Sequence, residues 1–568
     1  MPRGVKAEIS EPMESTETYQ PVNATTIIVL HPGSTTLWLG RATDHAPQSM
    51  PHVVAWKRPT TSTLPKKPDS LFSRPGLHQK ESETQKELAL SIVEQGILTK
   101  KANKRHQQLQ EQVASFNAES EADELDEVSH NQWTDTSNYP SYIVGEQAMY
   151  INDNDPYTLH WPMKGGSLNL HSDVGGSLTS VCADLEAIWA HGIEKYLNIP
   201  KASLQFHRAV LVVPNTFNKQ YVKEMLNILL CKLGFSSAII QLESVSSSFG
   251  CGISCGCVVD VGHEKTHISC VDDGLTIPAS RLILQYGGND ITRCFFWLLK
   301  KMNFPYKECD PYNNKLDVYL LKELKETFCH LNQEIPAGQI HEFQVHRPGV
   351  KPLLYELKLG DEVMQAPMAM FYPQLFGIVG EILVKKPSLQ YDDPEDLFDD
   401  KQLLESGTRE PKAGKSDQTM TETDEMSKPS GPSMMKKTTD SINPEKGLGL
   451  DNAIIHSIAS CGSEETQQKL FNNILLIGGG FMFNGALAKL QERLKAKLLN
   501  RKQSKLADSV EVMAKSRDVD ARTICWKGAA ILGILDSAQE LWITQAEWTS
   551  IGIRVLRERS LFVWSPDR

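Results

Sequence analysis

The sequence predicts a mixed α/β protein whose two related lobes close around one ligand cleft. Three observations carry this expectation. Short β-branched runs alternate with longer helical ones, the pattern of sheets covered by helices. A strand entering a glycine turn and leaving as a second strand occurs twice, at Gly33 and again about 230 residues later at Gly262. Further glycine runs, Gly287–Gly288 and Gly478–Gly480, stand where a strand gives way to a helix.

The elements follow in order. A β-rich apolar run is expected over Asn23–Leu30, and strands at Leu37–Leu39, Ala209–Val213, Gly256–Asp260 and Asn473–Ile477. Helices are expected over Ser180–Leu197, Gln220–Leu233, Asn289–Lys301 and Ala486–Leu498. At 568 residues the chain is long enough for three or four domains, given about 150 residues each, but three polar regions reduce that number. Residues 1–20 read as a disordered tail. Residues 59–130 read as an insertion with four prolines at 59, 65, 68 and 75. Residues 391–446 read as a disordered acidic insertion, too poor in apolar side chains to offset its ordering entropy. What remains is one bilobed fold, its first part 21–390 and its C-terminal part 447–568.

Charge is unevenly spread. The net charge of −11, averaged over the chain, argues against a nucleic-acid partner. However, the acidic insertion has 14 acids and 8 bases, a local −6. From Lys57 to His106, eleven Lys and Arg face five acids, a local +6. Such blocks mark solvated loops or interaction arms, so the average charge no longer decides against nucleic acid. The DNA-contact candidates are Lys57, Arg58, Lys66, Lys67, Lys100, Lys101, Lys104 and Arg105; residues 100–105 also form a weak nuclear-import pattern. The acidic run Asp392–Asp400 is a candidate contact for a basic partner.

No stretch reaches the ~18–20 unbroken apolar residues of a membrane span, and the polar opening residues lack a secretory core. The 11 scattered cysteines fit a reducing compartment. Cys251, Cys255 and Cys257 lack the paired spacing of a zinc site. Ala413–Ser416 resembles the tail of a P-loop but lacks the upstream glycine and strand.

A glycine turn between strands can aim backbone N–H groups at phosphate, and a glycine run opening a helix offers another phosphate or purine approach. Each turn alone could be structural; together they point to a nucleotide clamp. The two strand–turn–strand units, the Gly478–Gly480 turn and the ending Trp526–Leu532 with Glu540–Thr544 resemble the actin family, which shares its fold with sugar kinases and heat-shock ATPase domains. Residues 28–36, 157–162, 322–331, 366–373 and 555–559 resemble the nuclear actin-related branch.

The resemblance implies an actin-like (ribonuclease-H-like) two-lobed ATPase fold with ATP in the cleft. It also implies a nuclear subunit of the INO-eighty class of nucleosome-remodelling complexes, acting in transcription regulation, DNA repair and recombination. Its implied partners are the long helix of the motor subunit, actin, another actin-related protein, nucleosomes, histones and linker DNA. By the same resemblance Gly33, Ser34 and Thr35 form the first phosphate loop, and Asp260, Val261, Gly262 and His263 the second. Gly478, Gly479 and Gly480 match the adenosine turn, and Gly287, Lys325 and Glu326 lie near ribose and base.

The departures from the family matter most. His31 and His263 replace two aspartates that hold hydrated Mg²⁺, and imidazoles substitute poorly for hard oxygen ligands. Asp260 keeps one carboxylate, able to reach Mg²⁺ through water. Glu243 replaces the glutamine that positions the attacking water, while His267 matches the neighbouring histidine. ATP binding with very slow or absent hydrolysis is therefore expected. The alternatives are an active ATPase of the same fold and a filament-forming actin, the latter disfavoured by the long insertion.

Overall fold

The computed structural model describes residues 23–58, 69, 71–72, 79–97, 103–126, 133–138, 140–152, 154–347, 350–377, 384–385, 448–514 and 520–560. The tail 1–20, the acidic insertion 391–446 with Asp392–Asp400, and Lys66, Lys67, Lys100 and Lys101 lie outside these residues.

Two sheets repeat one plan. The first lobe contains β1 (Ile27–Pro32), β2 (Thr36–Arg41), β3 (Gln48–Pro51), β4 (Arg208–Val213) and β5 (Ser237–Leu242). The second contains β6 (Cys255–Val261), β7 (Thr266–Asp272), β8 (Leu282–Leu284), β9 (Val384–Lys385), β10 (Ile474–Ile477) and β11 (Val512–Met513). A last strand, β12 (Ile543–Thr544), returns to the first lobe. The orders are β12-β5-β4-β1-β2-β3 and β11-β10-β6-β7-β8-β9. In both, a central strand pairs in parallel on one side (β1 with β4, β6 with β10) and antiparallel with its hairpin partner on the other (β2, β7). Ile27 to Leu30 are fully buried. Their unbroken apolar run, rather than an alternating one, reflects a sheet covered on both faces.

The expected helices form. Leu178–Leu197 starts at Ser177, whose side chain accepts from Ser180 N, and buries Leu185, Ile188 and Trp189 on one stripe. The helix expected at 220–233 is α-helical over Lys219–Asn227 and continues as a π-helix over Ile228–Leu233. Among the described residues no helix is long and apolar enough to cross a membrane.

The insertion at 59–130 differs from the expectation of a solvated arm. It contains two helices, α1 (Gln79–Ile97) and α2 (Asn103–Glu119). Ala89, Leu90 and Val93 of α1 are buried in the second lobe's core. Lys301 Nζ pairs with Glu87 at 2.6 Å and Trp297 Nε1 donates to Glu83 at 3.1 Å. Asn117 of α2 is fully buried and bonds Met302 O and Lys358 O, and strand Asp123–Glu124 joins the sheet of Gln339–Val345 and Leu353–Leu359. Few apolar residues suffice because they share one helix face. The chain leaves the first lobe at residue 58, packs on the second, and re-enters the first at Tyr142–Val144, beside Val54–Lys57. It straps one lobe to the other.

Two helices cross between lobes. α3 (Glu243–Cys251) links β5 to β6, and α4 (Ile524–Ile534) leads back to β12. At their crossing a Cβ on Gly528 would overlap Ser246 O, and one on Gly250 would overlap Ile524 O. Only glycine permits this backbone approach.

Candidate nucleotide site

The two hairpin loops have the same geometry. Four residues separate the ladder ends Pro32↔Leu37 and Val261↔Thr266. Gly33 N donates to Thr36 O at 2.9 Å, and Gly262 N donates to Lys265 O at 2.9 Å. The loops face one another across a cavity of about 320 Å³ at the lobe interface. The third and fourth glycine runs close on the second loop. Gly480 N donates to Val261 O at 2.8 Å and Gly288 N to Gly262 O at 3.0 Å. Gly478 takes φ +84°, and a Cβ there would overlap Asp260 Oδ1.

Most of the expected residues line this cavity: Gly33, Ser34, Thr35, Asp260, Gly262, His263, Lys325, Gly478, Gly479 and Gly480, with His31, Glu243 and His267. Three do not. Val261 is fully buried, because the strand's inward alternation turns its side chain into the core. Gly287 lies behind the second loop, where a Cβ would stand 2.6 Å from Gly262 O. The Glu326 side chain is half exposed and pairs with Lys325 at 3.8 Å and Lys322 at 4.0 Å. Glu264, Lys265, Lys322 and Arg522 also line the cavity and were not among the expected residues. A cationic wall beside two glycine loops was the available signal, but its residues come from three distant segments.

Of the DNA-contact candidates, Lys57, Arg58, Lys104 and Arg105 fall among the described residues. Lys57 ends the strand Val54–Lys57, and Arg58 N donates to Pro156 O at 2.7 Å. Lys104 and Arg105 fall in the first turn of α2.

Electrostatics separate the carboxylates. Glu243 Oε2 is 3.1 Å from His267 Nδ1, and Oε1 is 3.6 Å from His31 Nε2. Burial alone would push the Glu243 carboxyl up; the two imidazoles outweigh it and hold it well below the usual carboxylate range. Burial keeps His267 neutral, so its Nδ1–H donates to Glu243. Asp260 goes the other way. Burial first, and Glu243 next, push its carboxyl up to about 7. Burial and then the charges of Lys322, Lys325 and Arg293 pull His263 well below its ordinary value. Its Nε2 is buried without a hydrogen-bond partner. Lys325, almost fully buried, is pulled down chiefly by burial.

This donor set suits a polyphosphate nucleotide. Glycine backbone lies close on two sides, cations line the wall, and an unpartnered imidazole is available. It does not suit direct Mg²⁺ ligation, since a neutral imidazole and a carboxyl held near 7 replace paired carboxylates.

The Actin family profile matches residues 22–560. The chain belongs to the actin family. Actin-related protein 8 of Bos taurus is 43% identical over 95% of this chain and 92% of its own length. The Aedes aegypti protein of the same name is 37% identical over 96% and 99%. Human actin-related protein Arp8, solved in its ATP-bound state, superposes with a TM-score of 0.81 at 40% identity, covering 98% of this chain and all of that one. The actin fold expected from the sequence is thereby established. This family member has histidines at positions 31 and 263 and a glutamate at 243.

Proposed function

We propose that the chain is an ATP-holding, non-hydrolysing scaffold subunit of a nucleosome-remodelling complex of the INO-eighty class, acting in the nucleus. The observation that carries the non-hydrolytic part is the His31–Glu243–His267 arrangement. A general base works best with a pKa near the operating pH, and Glu243 is held far below it. It is also occupied by two imidazoles where a water would have to be positioned. ATP binding is supported by the cavity's donor set and by the relative solved with ATP. Single-turnover phosphate release tests it: bound ATP should stay intact over many hours, and release at the pace of a heat-shock ATPase overturns the reading. One observation favours the alternative of an active ATPase, since Asp260, near 7, has a base-like pKa. An Asp260→Asn variant separates the two, because only an ATPase using that carboxyl loses phosphate release.

The remodelling role rests on the family resemblance of the sequence, with a motor-subunit helix, actin, another actin-related protein and nucleosomes as partners. DNA contact is assigned to the basic block from Lys57 to Arg105. Neutralising Lys57, Arg58, Lys66, Lys67, Lys100, Lys101, Lys104 and Arg105 to glutamine should weaken linker-DNA binding and flatten its salt dependence. The slope should fall by about 0.9 for each phosphate that the variant no longer neutralises, read from binding isotherms at several salt concentrations. An unchanged slope removes the block from the interface.

A further inference from the structure

Where the strap meets the first lobe's side, a second cluster of ligand-type side chains gathers. Asp69, His160 and His171 each present one donor atom, and the three atoms lie within 4.8 Å of one another. None of the three lines the nucleotide cavity. The donors are already oriented. Asp69 Oδ2 accepts from Trp161 N at 3.3 Å and Asn169 Nδ2 at 3.1 Å, while Oδ1 lies 3.6 Å from His171 Nε2. His160 Nδ1 is 3.3 Å from Asp184 Oδ2, and the buried Asp184 also accepts from Trp56 Nε1. A carboxylate behind one imidazole nitrogen fixes the tautomer and leaves the other as a ligand. That other nitrogen, His160 Nε2, donates to Val174 O at 3.2 Å, a bond that a metal ion would have to replace. Both ring nitrogens of His171 are buried with no hydrogen-bond partner, a costly arrangement without a ligand. Gly175 and Gly176 fold the loop onto these rings, and a Cβ on either would overlap His160 or His171.

We propose that Asp69, His160 and His171 bind Zn²⁺, with water in the fourth position. Two imidazoles and one carboxylate are a zinc donor set, too nitrogen-rich for Mg²⁺ or Ca²⁺. The site has a mechanical consequence. Two residues beyond Asp69 the strap is bound to the second lobe. Asn289 Nδ2 donates to Leu71 O at 2.6 Å, Arg293 donates to Phe72 O at 2.8 Å, and Phe72 packs edge-on against Phe296 and Tyr312. His160 and His171 belong to the first lobe's side. Zinc on Asp69 therefore joins the lobes through the strap and slows release of nucleotide from the cleft.

The test uses the full chain without a histidine tag. Zinc content after dialysis is measured for the wild type, His171→Ala and Asp69→Asn, and the Co²⁺-loaded protein is examined by visible absorption. The expected result is one zinc per chain in the wild type and its loss in both variants. The cobalt spectrum should show tetrahedral d–d bands without the intense thiolate charge-transfer band. ATP dissociation should slow about fivefold with zinc, the lower end of ordinary site–site coupling. If His171→Ala does not fold, the isosteric Asp69→Asn gives the same readout. Zinc retained by the variants, a substoichiometric wild type or a thiolate spectrum from the free cysteines overturns the site. ATP release insensitive to bound zinc overturns the link to the cleft.

Discussion

The two glycine-loop hairpins share strand order, loop length and the closing hydrogen bond, yet they are supported differently. Behind the second loop, Gly287, Gly288 and Gly480 press backbone against Gly262 O. Behind the first, the support is a side chain: the buried His52 donates through Nδ1 to Gly33 O at 2.7 Å, and Trp189 Nε1 lies 3.3 Å from its Nε2. Burial lowers the pKa of His52 to about 4, keeping it neutral in this role. The same turn can therefore be held by packed backbone or by one imidazole. The first should fail through steric change, the second through loss of a hydrogen bond.

The largest expected effect follows from the backbone support. Gly287 is extended, so Gly287→Ala adds no conformational strain, but its Cβ would stand 2.6–2.9 Å from three backbone atoms. Overpacking of this kind costs about 1–3 kcal/mol, and ATP binding should be lost, as read by denaturant melts and nucleotide-shift assays. In the first lobe, His52→Ala leaves the Gly33 carbonyl unpaired and opens a cavity. A cost of about 1–3 kcal/mol from the unsatisfied group is expected, with weakened rather than abolished ATP binding. Equal loss of binding in both variants breaks the distinction.

A subtler contrast lies in the chemistry of the loops. Replacing His31 by Asp and Glu243 by Gln restores the residues the family resemblance implies. The double variant should bind ATP more tightly when Mg²⁺ is present and should acquire slow phosphate release, whereas the wild type should show little dependence on Mg²⁺. The smallest effect concerns pH. The Asp260 pKa is raised in the folded chain, so its contribution to stability is fully present below about pH 4, the ordinary range for a free aspartate. It is lost as pH rises through about 7. Asp260→Asn should flatten that decline in the nucleotide-free protein, seen as melting temperatures that diverge from the wild type toward pH 8.

What could be read in the sequence was what is local. The glycine loops, their flanking strands and the long helices announce themselves within a dozen residues. Glu243 and His267 were identifiable one at a time, but their pairing with His31 depends on strands brought together from positions 31, 243 and 267. The insertion misled because charge dominates its composition. Ala89, Leu90 and Val93 form a narrow apolar face amid acids and bases, and their destination in the second lobe cannot be seen from the segment itself. Gly287 resembles a ligand neighbour in the sequence because a glycine before a helix looks the same whether it faces phosphate or packs against another loop.

The glycine contacts between α3 and α4 have a mechanical meaning. With backbone touching backbone, no flexible side chain lies between the crossing helices to take up a slide. Relative motion of the lobes at this crossing would therefore be a rotation rather than a slide. In a scissor, displacement grows with distance from the rivet, so a small rotation at Gly250 and Gly528 would become a larger excursion at the far edges of the two sheets.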